Sequence, residues 1–194
     1  VDGMVQPDAG EVEIGETIRI GYFAQEVPDM DTNQRVIDYI RDVAEYIPTR
    51  DGKISATMML ERFLFDSAMQ YAPIAKLSGG EKRRLYLLKV LMEAPNVLLL
   101  DEPSNDLDIP TLTILEDYLD SFAGIVIAVS HDRYFLDNIV DRIFAFEGNG
   151  HLTQYEGGYT DYTEALARKD RALQLVRKRR SRLRQTGSRI VPRS

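Results

Sequence analysis

LSGGE, Leu77 to Glu81, is joined to VLLLDEP, Val97 to Pro103, by a helix-length spacer, KRRLYLLKVLMEAPN. In the spacer Leu85, Leu88, Leu91 and Met92 recur at i, i+3, i+6 and i+7, which is one face of an amphipathic helix. Ser78 with Glu81 three residues on is a capping-box pattern and starts the helix there. A capped core helix accounts for those two residues but not for Gly79 and Gly80. Each glycine in a first turn costs about 1 kcal/mol of helix propensity. That cost has a purpose where something must approach the backbone. Bare N–H groups at a helix start attract anions, and phosphate is the common one.

Val97 to Leu100, closing in Asp101 and Glu102, reads as a buried parallel strand that delivers two carboxylates at its C-terminal edge. In open α/β sheets ligands bind at that edge. Either half alone fits an ordinary helix, or a strand that meets solvent in two acids. Both in this order argue against coincidence. The pair resembles the ATP-binding-cassette (ABC) ATPases: LSGGE is similar to their signature motif, and VLLLDE to their Walker B strand with its catalytic glutamate. The resemblance implies an α/β fold, an incomplete P-loop ATPase with parallel core strands, a helical subdomain at about residues 33–95 and short antiparallel β elements.

Composition sets the bounds. The chain has 194 residues, enough for one domain with a real core, with 44% hydrophobic and 28% charged residues, as in soluble globular proteins. No apolar run approaches the ~20 residues that span a membrane, and no signal peptide is visible. There is no cysteine, which excludes disulfides and thiolate metal sites and fits a cytosolic protein. The net charge of −7 is unevenly spread. Arg168 to Ser194 carries 11 basic residues and one acidic, Asp170, a net of +10; the remaining 13 basic and 30 acidic residues leave −17 for the body. The expected division is a partial ATPase domain over 1–167 and a basic tail over 168–194. Such a tail is either a solvated terminus, as charge runs usually are, or the contact for nucleic acid or another acidic partner.

Asp2-Gly3 and Pro7 to Gly10 read as turns. EVEIGETIRIGYFAQ alternates through Val12 and Ile14, then Ile18, Ile20 and Tyr22, which predicts two antiparallel strands ending at Gln25. Gly10 to Thr17 matches the P-loop spacing except that Glu16 stands where the lysine belongs. A carboxylate there repels phosphate, and a P-loop lies between strand and helix, so the match is rejected and no Walker A remains. Gln34 to Ile47 predicts a helix, broken by Pro48, Asp51 and Gly52; Ser55 to Phe65 predicts another. Asp108 is an N-cap candidate with Pro110 in the first turn of a helix to about Asp120, closed by Gly124. Ile125 to Ser130 predicts a second buried strand, Asp132 to Asn138 a short helix. Arg142 to Phe146 and His151 to Tyr155 predict a hairpin through Glu147-Gly148-Asn149-Gly150. From Thr160 the chain reads as helix into the tail, and GSRIVPRS, Gly187 to Ser194, resembles a degraded protease-site linker.

The resemblance implies ATP hydrolysis with Mg²⁺. Asp101 would hold the ion, Glu102 would act as general base, and His131, at the H-loop position, would contact the γ-phosphate. Gln25, at the position of the Q-loop glutamine, would help hold Mg²⁺ and sense that phosphate. Ser78, Gly79, Gly80 and Glu81 would bind the nucleotide of a second nucleotide-binding domain. Ser104 to Asp108, SNDLD, resembles the D-loop, which crosses to that domain and places Asp108 at the nucleotide interface. Among ABC proteins SNDLD and FEGNGHLTQYEGGYTDY, Phe146 to Tyr162, are similar to the Uup-like branch of the cytosolic ABC-F family. The similarity is to the C-terminal part of the second domain. This implies a ribosome or RNA partner, with DNA open and no membrane, and inactivity of the chain alone. A transporter ATPase subunit and a docking fragment without catalysis are the competing classes.

Overall fold

The computed structural model describes residues 7–49, 52–105, 107–148 and 150–187. The turn at Asp2-Gly3, Asp51, Asp106, Asn149 and the stretch from Ser188 to Ser194 lie outside them. In chain order the elements are β1 (Ile20–Phe23), α1 (Val36–Arg41), β2 (Tyr46–Thr49), β3 (Gly52–Ser55), α2 (Ala56–Arg62), α3 (Ser67–Gln70), α4 (Gly79–Met92), β4 (Val97–Asp101), α5 (Ile109–Asp120), β5 (Ile125–Val129), α6 (Arg133–Ile139), β6 (Arg142–Phe146), β7 (Leu152–Glu156) and α7 (Tyr159–Gly187). The chain divides after Phe135 into two compact units.

The first unit is built on a parallel sheet in the order β1-β4-β5. Ile20 pairs with Val97 and Phe23 with Leu100; Val97 pairs with Ile125 and Asp101 with Val129. Parallel pairing needs crossovers, and α5 supplies the one between β4 and β5. Leu98, Leu99 and Leu100 are buried, as the run of leucines predicts. Ser78 caps α4 with both halves of the capping box, and Asp108 caps α5 with Pro110 in the first turn. The expected face Leu85, Leu88, Leu91 and Met92 is fully covered. Burial extends round to Arg83, Arg84, Leu87 and Val90 because β1, α1 and α2 all pack on α4. Gly21 lets β1 approach that helix: a Cβ there would lie 2.9 Å from Pro95 Cγ and 3.0 Å from Val90 Cγ1.

Four expectations are corrected. Val12 and Ile14 form no strand and are 66% and 51% exposed; the only strand in that region is β1, and it is parallel to β4 rather than half of a hairpin. Alternation needs a partner to become a strand, and within the described chain Val12 has none. Gln25 accordingly lies two residues past the strand. The helix expected to Ile47 stops at Arg41, and Ile47 is instead a buried residue of β2, which pairs with β3 in an antiparallel hairpin. Pro48 is tolerated because this two-stranded ribbon has only edges. β5 is not a buried strand: Ile125, Ile127 and Val129 are exposed, and β5 is a free edge of its sheet.

In the second unit β6 and β7 pair antiparallel, Arg142 with Glu156 and Phe146 with Leu152. Tyr162 of α7 packs edge-on against Tyr155, centroids 5.0 Å apart. Tyr155 donates its hydroxyl to Glu147 at 2.7 Å, and Lys169 donates to the same carboxylate at 3.2 Å. Asp137 takes the N–H and the hydroxyl of Thr160, both at 2.7 Å, and so serves the exposed donors of the first turn of α7.

Candidate functional site

The sheet brings Asp101, Glu102 and His131 to one edge. Asp101 closes β4 and Val129 closes β5, in register, so the residues that follow each strand emerge side by side. Glu102 turns away with φ 46°, a left-handed conformation that costs a residue with a Cβ roughly 1–2 kcal/mol. Its N–H donates to Val129 O at 2.8 Å, which holds the turn. Glu102 is 8% exposed. Its Oε2 accepts the His131 N–H at 3.2 Å, and its Oε1 lies 3.3 Å from His131 Nε2. The imidazole itself is 95% exposed, so one side of the pair is buried and the other open.

Asp101 accepts the Tyr22 hydroxyl at 3.3 Å through Oδ2. Ala24 follows the register pair Phe23–Leu100 and so stands level with Asp101, which puts exposed Gln25 just beyond the same edge. No bond from Gln25 to the acids occurs among the described residues. No cluster of three or more metal-ligating side chains occurs among them either. Mg²⁺ binds through one or two carboxylates plus waters and substrate phosphates. Asp101 is half-buried, with one oxygen engaged among the described residues, and could supply one such carboxylate.

The LSGGE segment opens α4 with its own set of bonds. Glu81 Oε2 accepts Ser78 N–H at 2.7 Å and its hydroxyl at 2.8 Å, while Ser78 Oγ accepts Glu81 N–H at 3.3 Å. These bonds from the Ser78 backbone and hydroxyl hold the Glu81 carboxyl below its ordinary value. Gly79 and Gly80 are exposed, and a Cβ on either would meet nothing within 4 Å. Asp108 accepts Thr111 N–H at 3.0 Å; its carboxyl is held low by Thr111 first and by Arg84 to a lesser degree. Arg84 Nη1 lies 3.7 Å from Asp108 Oδ2 while its guanidinium stacks 4.9 Å over Phe65. That loose pair links the signature helix to the start of α5.

Sequence reasoning missed the residues that hold this edge in place. Arg83 donates to Ala24 O and stacks 4.0 Å over Phe23, and Tyr86 donates to Tyr22 O at 3.0 Å. Basic and aromatic residues after a signature read as solvated helix surface, and no local pattern tells otherwise.

With this geometry in place, the comparisons give the class. The chain matches the family described as ABC transporter over residues 2–105, more than half its length. It belongs to the ABC family of ATPases and carries part of a nucleotide-binding domain, with YfmR and Uup among the proteins it is similar to. YfmR of Bacillus subtilis, an uncharacterized ABC transporter ATP-binding protein, is 59% identical over 163 residues, 84% of this chain and 26% of YfmR. The ATP-binding protein Uup of Haemophilus influenzae is 41% identical over 159 residues, 82% of this chain and 25% of Uup. The energy-dependent translational throttle protein EttA of the same organism is 38% identical over 164 residues, 84% of this chain and 30% of EttA. Archaeal ribosome recycling factor aABCE1, solved with ribosomal stalk protein aP1, shares the fold at TM-score 0.62 and 21% identity, over 85% of this chain and 32% of that chain. The chain thus spans between about a quarter and a third of the lengths it matches. ABC ATPases use ATP and Mg²⁺ and work as paired nucleotide-binding domains. No helix among the described residues is long and apolar enough to cross a membrane.

Proposed function

We propose that this chain is the ATP-binding and hydrolysing module of a cytoplasmic ABC-F protein acting on the ribosome, and that it is inactive without protein outside its own sequence. The observation that carries the catalytic half is the paired Glu102 and His131 at the ends of adjacent parallel strands, 3.3 Å apart, beside Asp101. Asp101 is the residue to hold Mg²⁺, and the ion when bound neutralises phosphate charge. Glu102 takes the proton of the attacking water. His131, exposed but bonded at its backbone N–H, would contact the γ-phosphate, and Gln25, just beyond the same edge, would help hold the ion and sense that phosphate. Most of the rate in phosphoryl transfer comes from such positioning.

The second half of the proposal concerns the other nucleotide. Gly79 and Gly80 have space for a side chain and no positive φ, so nothing among the described residues requires glycine there. A requirement from outside, the γ-phosphate of ATP held by a second nucleotide-binding domain, accounts for both. Asp108 ends the segment directed to that domain. The free edge and exposed apolar residues of β5 support the view that further strands complete the sheet. EttA is named for a role in translation, and the basic tail suits RNA as partner, with DNA the alternative.

The test uses the full-length protein with Glu102→Gln. Loss of turnover with ATP-bound complexes accumulating on ribosomes supports the proposal. Capture of a membrane permease in place of ribosomes favours a transporter subunit. Undiminished turnover removes Glu102 from the chemistry.

A further inference from the structure

Between the two catalytic strand ends lies a contact that the roles above do not use. Ser104, in the single turn of 3₁₀ helix Pro103–Asn105, faces Ser130, the residue before His131, with Oγ to Oγ 3.2 Å. Ser130 Oγ also accepts the Asp132 N–H at 3.0 Å. Both serines are half-buried. We propose that this hydroxyl bridge is a positioning device, through which the segment entering the D-loop sets the placement of His131 against Glu102. The inference rests on the catalytic reading of Glu102 and His131 given above.

The physical case starts from what holds the two loops together. β5 ends at Val129, so no ladder bond fixes the backbone from Ser130 onward. Glu102 is in a left-handed conformation, which persists only when its surroundings enforce it. Across the gap run the Glu102 N–H to Val129 O, the Glu102–His131 contacts and the serine bridge. The bridge alone joins side chain to side chain without using the acid or the imidazole, so it can stay closed while those two engage substrate. It also joins two segments with different duties. Ser104 opens the stretch that ends at Asp108, and Ser130 is covalently next to His131. A shift of the first segment on meeting a second domain therefore moves the hydroxyl that fixes the second.

Two hydroxyls share one bond, and either can be the donor. Ser130 Oγ also accepts from Asp132, so removing it breaks bonds to the residues on both sides of the loop that carries His131. Threonine keeps the hydroxyl, whereas alanine removes it.

Amide hydrogen exchange on this chain reads the device directly. Ser130→Ala and Ser104→Ala should each speed exchange at the Glu102 and His131 amides by about three- to tenfold, the equivalent of one net hydrogen bond. Ser130→Thr should restore the slow rate, which a purely steric role for serine would not. Unchanged exchange at both amides in the two alanine variants, with Leu98 to Leu100 still protected, overturns the proposal. In the full-length protein Ser104→Ala should lower kcat and leave KM for ATP unchanged. If Glu102→Gln abolishes turnover while Ser104→Ala and Ser130→Ala leave kcat intact, the bridge alone is refuted. If Glu102→Gln itself leaves turnover intact, the catalytic reading beneath it fails.

Discussion

At the residue scale, the glycines separate two kinds of demand. Gly124 is needed by the fold: a Cβ there would strike the carbonyl oxygen of Asn96. Gly124→Ala should destabilise the chain by about 1–3 kcal/mol, as overpacking does, read by denaturant unfolding. Gly79 and Gly80 are the reverse case. With open space and helical backbone, Gly79→Ala should raise stability by roughly 0.5–1 kcal/mol, and in the full-length protein should impair ATP turnover. A fall in stability would mean that the glycine serves this chain after all. Ser78→Ala removes the cap of α4 and should cost about 1 kcal/mol. Its pH dependence follows from Glu81, whose carboxyl is depressed by the Ser78 bonds. A depressed carboxyl contributes stability above its unfolded pKa and loses it as pH falls through the folded one. Unfolding midpoints followed down into the acid range should therefore drop more for wild type than for Ser78→Ala.

At the element scale, what was legible depended on whether the signal was local. The caps of α4 and α5 and the leucine strand β4 are written in adjacent residues, and each forms where the pattern puts it. So does the β6–β7 pairing, with Gly148 and Gly150 at φ of 86° and 74°. The misread elements depend on partners distant in sequence. Val12 and Ile14 alternate but lack a strand to pair with. Ile47 has helical spacing from Ile40 yet is claimed by β3. β5 has strand composition, but what would bury its outer face is not in the described chain. The candidate site divides the same way. Asp101, Glu102 and His131 stand at strand ends that pattern locates, whereas Tyr22, Arg83 and the serine bridge come from β1, α4 and the post-strand loops meeting in space. One element-scale test follows. Asp137 is held below its ordinary pKa by the Thr160 N–H and hydroxyl. Stabilisation of the first turn of α7 should be present above the unfolded Asp pKa and vanish as pH falls through the depressed one. Amide exchange at Thr160, compared between wild type and Asp137→Asn across that range, checks this; identical profiles would count against it.

At the scale of the whole molecule, charge and completeness set function. With an acidic body at −17 and a tail at +10, the proposed RNA contact would fall on the residues after Ala167. Binding should weaken steeply with salt, through released counterions, and disappear when those residues are removed; filter binding across a salt series decides it, and persistence without the tail would assign RNA to another surface. The larger proposition is that this chain holds two halves of nucleotide sites that other protein must finish. It has the acids, the histidine and the signature, but no G-x-x-x-x-G-K-[ST] stretch to cradle the β- and γ-phosphates. The direct measurement is a titration of this chain with a fluorescent ATP analogue at millimolar Mg²⁺. No saturable binding at micromolar concentrations is the expected result, and a micromolar Kd that Asp101→Asn weakens would contradict it.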